Sequence, residues 1–445
     1  MGGDVRKILR INLTSKQVRK EHLDAEFAGR YLSGRGLAGK ILTDEVPAHV
    51  DAFSPENKLL LATGLLTGTT IPTSGRFMAV TKSPVNGGLV FSNFGGTWGS
   101  QLKFAGYDLV ILEGKAEYPV YIVIRNDSVE IKNAAHVWGK DVFAATEALK
   151  QEIRDPMVKT LTIGPAGENL SLMAVITNDL NHVAGRSGVG AVMGSKNLKA
   201  IMVRGTGKVE TADPVALKRI LTDALQKFKG IKWSKDDACF QCPFPCGHRS
   251  KGKRGEALDS EQSLAPELGS NLGIYDGQAL QDVSALCNRL GLDQAAVSSV
   301  IATGIELVRR GYIKPEELDG IPLEFGNSQG ILEWIEKIAY SEGLGVKMGL
   351  GSKHLAASYD ALDISETPKK RKRAKTPVSE DLRDLTVVID SVGLCLFTSG
   401  TFSLSDYTEL VNAVIGSKYA NEELLACGAQ IRNNERLYNL SVGQN

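Results

Sequence analysis

The chain has 445 residues, of which 42% are hydrophobic and 23% charged, with a formal net charge of +1. This composition is that of a globular protein with room for two or three domains, and it excludes disordered and fibrous classes. A charge so near zero also excludes nucleic acid as the main partner, because phosphate recognition needs a concentrated basic face. The opening Met1-Gly2-Gly3-Asp4-Val5-Arg6 has no apolar signal core, and no run reaches the roughly 18 apolar residues of a membrane span, so the expectation is a cytoplasmic protein without membrane association.

Residues 7–22 alternate apolar and polar around Thr14-Ser15-Lys16, which predicts an opening β-hairpin, with a short helix over 25–30. Between 57 and 131 the pattern is strands at 59–63, 77–81, 88–92 and 109–113 and a hairpin at 120–124/129–131, joined by Gly-rich turns. A helix over 140–154 and a strand over 159–163 lead to Gly188, Gly190 and Gly194. Their G-x-G-x-x-x-G spacing, without a strand running straight into it, argues against a dinucleotide site. A strand at 200–204 closes this β-rich part.

From Asp213-Pro214, an N-cap followed by a residue suited to the first turn, the chain reads as helical. Val215, Leu217, Ile220, Leu221, Ala224, Leu225 and Phe228 mark the apolar face of the first helix. Further helices are expected over 278–290, 294–310, 330–341, 353–359, 382–389, 405–414 and 422–440, with the basic run 369–375 as a solvated linker. The expected division is a β-rich domain over 1–210 and two mainly helical domains over 211–365 and 366–445, an α+β class.

Three of the six cysteines crowd into Cys239-Phe240-Gln241-Cys242-Pro243-Phe244-Pro245-Cys246-Gly247. Thiolates are soft anionic donors, and a loop broken twice by proline turns tightly enough to aim several sulfurs at one point. Such crowding fits a reducing compartment and metal ligation better than a disulfide framework. A fourth ligand is needed: His248 would suit zinc, in a zinc-stabilised binding protein, and Cys395 would suit a [4Fe-4S] cluster. A weak internal repeat bears on the choice. Asn288-Arg289-Leu290-Gly291-Leu292-Asp293 and Asp390-Ser391-Val392-Gly393-Leu394-Cys395 share one frame, each at the end of an expected helix, and the second copy contains Cys395.

With these features together, the chain resembles the aldehyde:ferredoxin oxidoreductases, a tungsten-bispterin family. The resemblance runs through Ser33-Gly34-Arg35-Gly36-Leu37-Ala38, Gly75-Arg76-Phe77, Thr81-Lys82-Ser83-Pro84, Leu102-Lys103-Phe104-Ala105-Gly106-Tyr107-Asp108, Ile163-Gly164-Pro165-Ala166-Gly167-Glu168-Asn169 and the run from Gly188 to Ala200. Beyond residue 205 it continues in islands at the cysteine loop, at both Gly-Leu loops and at Glu435-Arg436-Leu437-Tyr438-Asn439-Leu440.

The resemblance implies a β-rich base for a bis-pterin cofactor, closed by two helical domains that contribute one Gly-Leu loop each. It implies a tungstopterin (tungsten, or molybdenum, on two molybdopterins), with Mg2+ bridging the pterin phosphates. Cys239, Cys242, Cys246 and Cys395 would hold a [4Fe-4S] cluster. Arg76 would sit between cluster and pterin, Asn93 would approach the bridging cation, and Gly95, His182 and Val183 would face the cofactor; the family carries Arg where this chain has His182. Asn288, Gly291, Leu292 and Asp293 in one loop, and Asp390, Gly393 and Leu394 in the other, would bind the pterins. The implied reaction is oxidation of a small aldehyde with water to a carboxylate, with electrons passing to ferredoxin or a similar carrier, in a homo-oligomer.

Departures from the pattern concern the reacting side. Where the family has an acid beside the metal, this chain has Ser263, with Glu261 two positions early, and an expected A-Y-D-P-R segment with its Cys-His pair is absent. These departures keep a second function in view, a cofactor-binding electron-transfer or assembly relative without aldehyde turnover.

Overall fold

A computed structural model describes residues 7–23, 25–180, 182–227, 238–244, 247–251, 257–261, 265–365 and 379–444. The first sheet is built from β1 (Lys7–Asn12), β2 (Gln17–His22), β3 (Leu59–Thr63), β4 (Phe77–Lys82), β5 (Leu89–Phe94) and β6 (Leu109–Glu113), in the order β2-β1-β6-β3-β4-β5. Helices α1 (Ala25–Tyr31), α2 (Gly34–Glu45) and α3 (Trp98–Phe104) interrupt it in sequence. The second sheet comprises β7 (Val120–Arg125), β8 (Ser128–Asn133), β9 (Lys159–Thr162), β10 (Ile176–Asn178), β11 (His182–Ala184) and β12 (Leu198–Arg204), in the order β11-β10-β9-β12-β7-β8. It is accompanied by α4 (Val142–Ile153), α5 (Pro165–Glu168) and α6 (Val189–Ser195).

The strand sequences explain the layering. β3 reads Leu-Leu-Leu-Ala-Thr because both of its faces are covered: Leu59 and Leu61 join the core shared with the second sheet, and Leu60 and Ala62 join a core under α2. β7 does the same, with Ile122 and Ile124 in the shared core and Tyr121 and Val123 under α4. The result is two sheets face to face, each with a helix on its outer side.

The opening hairpin and the expected strands are present, whereas strands β10 and β11 and helices α2 and α3 are absent from the sequence expectation. Glycine at 34, 36, 39 and 99 lowers helix propensity and reads as turn. Tertiary packing overrides it: α2 buries Leu37, Ala38, Ile41 and Leu42, and α3 buries Trp98 and Leu102.

Helix α7 (Pro214–Lys227) is capped by Asp213, whose carboxylate accepts from the Ala216 amide at 2.8 Å. Its expected apolar face is only half right. Leu217 and Ile220 are buried, whereas Val215 is 80% exposed. A two-stranded hairpin, β13 (Gly247–Lys251) and β14 (Ala257–Glu261), follows the cysteine loop. One helical body contains α8 (Ala265–Leu272), α9 (Gly277–Leu290), α10 (Gln294–Arg309), α11 (Ser328–Tyr340), α12 (Leu344–Met348), α13 (Ser352–Ala357) and α14 (Leu362–Ser365), packed around Val300, Ile301, Trp334 and Ile335. The other contains α15 (Glu380–Val392), α16 (Leu404–Ile415) and α17 (Asn421–Ser441). Helix α7 contributes to this last core, so the stretch 211–365 serves two cores. Among the described residues no helix is long and apolar enough to cross a membrane.

Candidate functional site around Arg76

Arg76 immediately precedes β4, and its backbone carbonyl accepts from the Thr67 hydroxyl at 2.7 Å. Its guanidinium spans two groups: Nη2 donates to Cys395 Sγ at 3.2 Å, and Nη1 donates to Asn93 Oδ1 at 3.2 Å. The cysteine loop is pinned beside it. The Phe240 amide donates to the Gly96 carbonyl at 3.0 Å, and the Thr73 amide to the Gln241 carbonyl at 2.7 Å. Thr73 also accepts, through Oγ1, the Cys395 amide at 3.3 Å. One threonine therefore ties the cysteine loop to the second Gly-Leu loop. Thr73 and Gln241 both adopt left-handed backbone, φ +67° and +52°, which costs each on the order of 1 kcal/mol and persists because both ends are tied.

Cys239, Cys242 and Cys395 are all buried, at 8%, 7% and 6% exposure. A Cβ on Gly95 would lie 2.6 Å from Cys239 Sγ and 2.8 Å from His182 Cδ2, so glycine is needed for these two groups to meet, with Arg76 Nη1 at ordinary contact distance, 3.6 Å. Burial alone would raise the Cys239 thiol; the hydrogen bond and charge of His182 and the charge of Arg76 outweigh it and hold the thiol at about 6. For His182, burial works toward the neutral ring, and contact with Cys239 turns the shift upward. His182 reaches the site on β11, where Val183 follows it and pairs with Thr177 of β10. There the Asn178 side chain donates to the Gly95 carbonyl at 2.6 Å.

The two Gly-Leu loops close on the sheets from opposite helical bodies. In the second, Gly393 ends α15 in left-handed backbone, φ +84°, and the Val392 carbonyl accepts from the Leu66 amide at 2.8 Å. A Cβ on Gly64 would fall 2.1 Å from the Gly393 nitrogen. Asp390 accepts from Asn93 Nδ2 at 3.0 Å through Oδ1 and from Arg35 Nη1 at 3.0 Å through Oδ2. In the first loop, Gly291 ends α9 at φ +74°, and its carbonyl accepts from the Val175 amide at 2.9 Å. A Cβ on Gly164 would fall 2.2 Å from the Leu290 carbonyl oxygen. Asn288 accepts from Gln294 Nε2 at 3.0 Å, Leu292 bridges Ala174, and Asp293 caps α10 by accepting from the Ala296 amide at 2.9 Å.

Comparison with known proteins gives the arrangement its relatives. The model of the aldehyde ferredoxin oxidoreductase N-terminal domain matches residues 8–205, and that of domains 2 and 3 matches 190–374 and 361–445. The chain is 36% identical to a tungsten-containing aldehyde ferredoxin oxidoreductase of Pyrococcus furiosus, over all of this chain and 90% of the relative. It belongs to the aldehyde ferredoxin oxidoreductase family. An aliphatic sulfonate oxidoreductase, WOR-like subunit, of the same organism is 30% identical over 81% of this chain and 67% of its own length. The active site complex BamBC of benzoyl coenzyme A reductase shares the fold, with a TM-score of 0.90 at 23% identity over 98% of this chain and 89% of that one. Alignment with the first Pyrococcus relative spreads this chain's 445 residues over 542 positions, so the chain carries internal gaps against that family member.

Several expected residues stand apart from the described geometry. Cys246 and Ser263 lie outside the described residues, as do the side chains of His248 and Glu261. Among the described residues, no three His, Cys, Asp or Glu side chains form a metal-holding group. Cys287 is fully buried in the core of the first helical body, where burial pushes its thiol upward, and Cys427 sits against Gly29 at the edge of the α15–α17 core. Sequence reasoning missed the supports: Thr73, Asn178, Gly64, Gly164 and the pair Arg35–Glu435. The one available signal was the Gly-Arg-Gly at 34–36, glycines flanking a lone cation.

Proposed function

We propose that this chain oxidises a small aldehyde with water to the carboxylate, releasing two electrons and three protons at neutral pH, and hands the electrons to a ferredoxin-type carrier. The observation that carries the reading is the Arg76 guanidinium, which reaches the sulfur of Cys395 on one side and, through Asn93, the carboxylate of Asp390 on the other. A fixed guanidinium of this kind stabilises added negative charge on a sulfur-ligated cluster and keeps the adjoining group in register.

By donor chemistry the residues suit the cofactors the family implies. Cys239, Cys242 and Cys395, with Cys246, are a soft all-sulfur donor set suited to a [4Fe-4S] cluster, and a thiol held at about 6 beside His182 and Arg76 is poised as thiolate. Asn288 and Asp390 would accept hydrogen bonds from pterin amines, each three residues before a glycine that lets the backbone approach. Gly95, His182 and Val183 would line the cofactor face, and Asn93 would lie toward the Mg2+ between the phosphates. The tungstopterin, with tungsten or molybdenum, supplies the two-electron redox chemistry when bound. The chain's task is to orient it, exclude water and hold electrons near Arg76.

A second reading, a cofactor-binding relative without turnover, is favoured by Ser263 at the family's acidic position and by the internal gaps. Anaerobically purified protein assayed with aliphatic and aromatic aldehydes and a viologen acceptor separates the two. Aldehyde-dependent dye reduction with stoichiometric carboxylate supports the enzyme; a metal-loaded protein that reduces no dye with any aldehyde supports the second reading.

A further inference from the structure

Arg35 lies in the first turn of α2, between two glycines that leave room for their neighbours. A Cβ on Gly34 would lie 2.8 Å from the Asp390 carbonyl oxygen, and one on Gly36 would lie 2.4 Å from the Ile431 side chain of α17. The Arg35 guanidinium rests over the Phe91 ring at 4.4 Å. It holds Glu435 of α17 with two parallel bonds, Nε to Oε1 at 2.8 Å and Nη2 to Oε2 at 2.7 Å. Glu435 is 6% exposed. A fork fixed by stacking and by two bonds to one carboxylate has the direction of its remaining nitrogen set, and that nitrogen, Nη1, donates to Asp390 Oδ2 at 3.0 Å.

We propose that Arg35, anchored by Glu435, is a positioning residue that presets the Asp390 carboxylate for a cofactor N–H donor; this rests on the cofactor reading given above. Among the described residues the side-chain donors to Asp390 come from the β-rich base, Asn93 on β5 and Arg35 on α2, while Asp390 itself belongs to α15. Each carboxylate oxygen keeps a further acceptor lone pair after one bond, so the carboxylate is oriented without being used up. Glu435 has the more specific task. By occupying two guanidinium nitrogens it prevents Arg35 from pairing fork-to-fork with Asp390, an arrangement that would consume the acceptor positions a ligand needs. Alternation of charge from Arg76 through Asp390 and Arg35 to Glu435 keeps the group near neutrality.

The test uses full-length protein made in tungsten-supplied cells and purified anaerobically, with Arg35→Gln, Arg35→Lys and Glu435→Gln variants. Tungsten, molybdenum and iron per chain, released pterin fluorescence and unfolding temperature are measured. The expected result is about tenfold less tungsten (or molybdenum) and pterin in Arg35→Gln and Glu435→Gln, the scale on which supporting partners of metal-site groups act, with iron and its reduced-state electron paramagnetic resonance signal unchanged. Arg35→Lys should fall between. Unchanged tungsten and pterin would overturn the proposal, and so would iron, tungsten and unfolding temperature falling together, since that marks a clamp between helices and no more. Unsubstituted protein that binds iron but no tungsten, molybdenum or pterin would instead overturn the cofactor reading itself, and this inference with it.

Discussion

The two Gly-Leu loops are the same local device put to different electrostatic use. Each ends a helix on a left-handed glycine, and each presses that turn against a glycine that directly follows or nearly follows a strand, Gly64 after β3 and Gly164 after β9. The polar residue of the first loop, Asn288, is neutral and is met by the amide of Gln294. That of the second, Asp390, is charged, is met by Arg35, and shares its loop with Cys395, which Arg76 contacts. A close backbone approach can therefore be repeated across a molecule while the charges around it decide which copy meets the proposed redox centre.

The comparison is broken most severely at the docking glycines. Gly64→Ala and Gly164→Ala each force a Cβ to within van der Waals overlap of backbone, at a cost of about 3 kcal/mol. Their iron contents should differ: Gly64→Ala loosens the loop that carries Cys395 and should lose iron, whereas Gly164→Ala should keep it, as iron assay alongside thermal unfolding would reveal. Equal iron in both would mean that the loops do not divide the work.

A smaller effect separates the two donors. Arg76→Ala removes a positive charge 3.2 Å from Cys395 Sγ and should lower the reduction potential of the proposed cluster, read by redox titration, and slow turnover. Gln294→Ala removes a neutral donor and should cost about 1 kcal/mol of stability without moving that potential. An effect as small as that of Gln294→Ala belongs to Cys287→Ala, beside the first loop. It should leave iron content unchanged and cost about 1 kcal/mol, the ordinary scale for a buried truncation.

What the sequence displayed of this site followed from spacing. Three cysteines within eight residues, and the paired Gly-Leu frames, are local patterns that backbone chemistry restricts, and their residues can be named without coordinates. The helices α2 and α3 were hidden because their glycines, which packing demands, are the residues that weaken a helix signal. The α7 face was only half visible: a 3.6-residue period locates apolar positions, and the neighbours decide that Leu217 is covered and Val215 is not. Least legible were the supports. Arg35 and Glu435 lie 400 positions apart, and nothing local marks them as a pair. Thr73 offers no sign that it will take a left-handed conformation to join two loops.

The most direct test of the account is elemental analysis of the anaerobically purified, unsubstituted protein. A chain whose Cys395 loop completes the cysteine loop at Arg76 and closes over a bis-pterin should carry tungsten or molybdenum together with about four iron atoms. One zinc per chain, with neither iron nor tungsten, would contradict it.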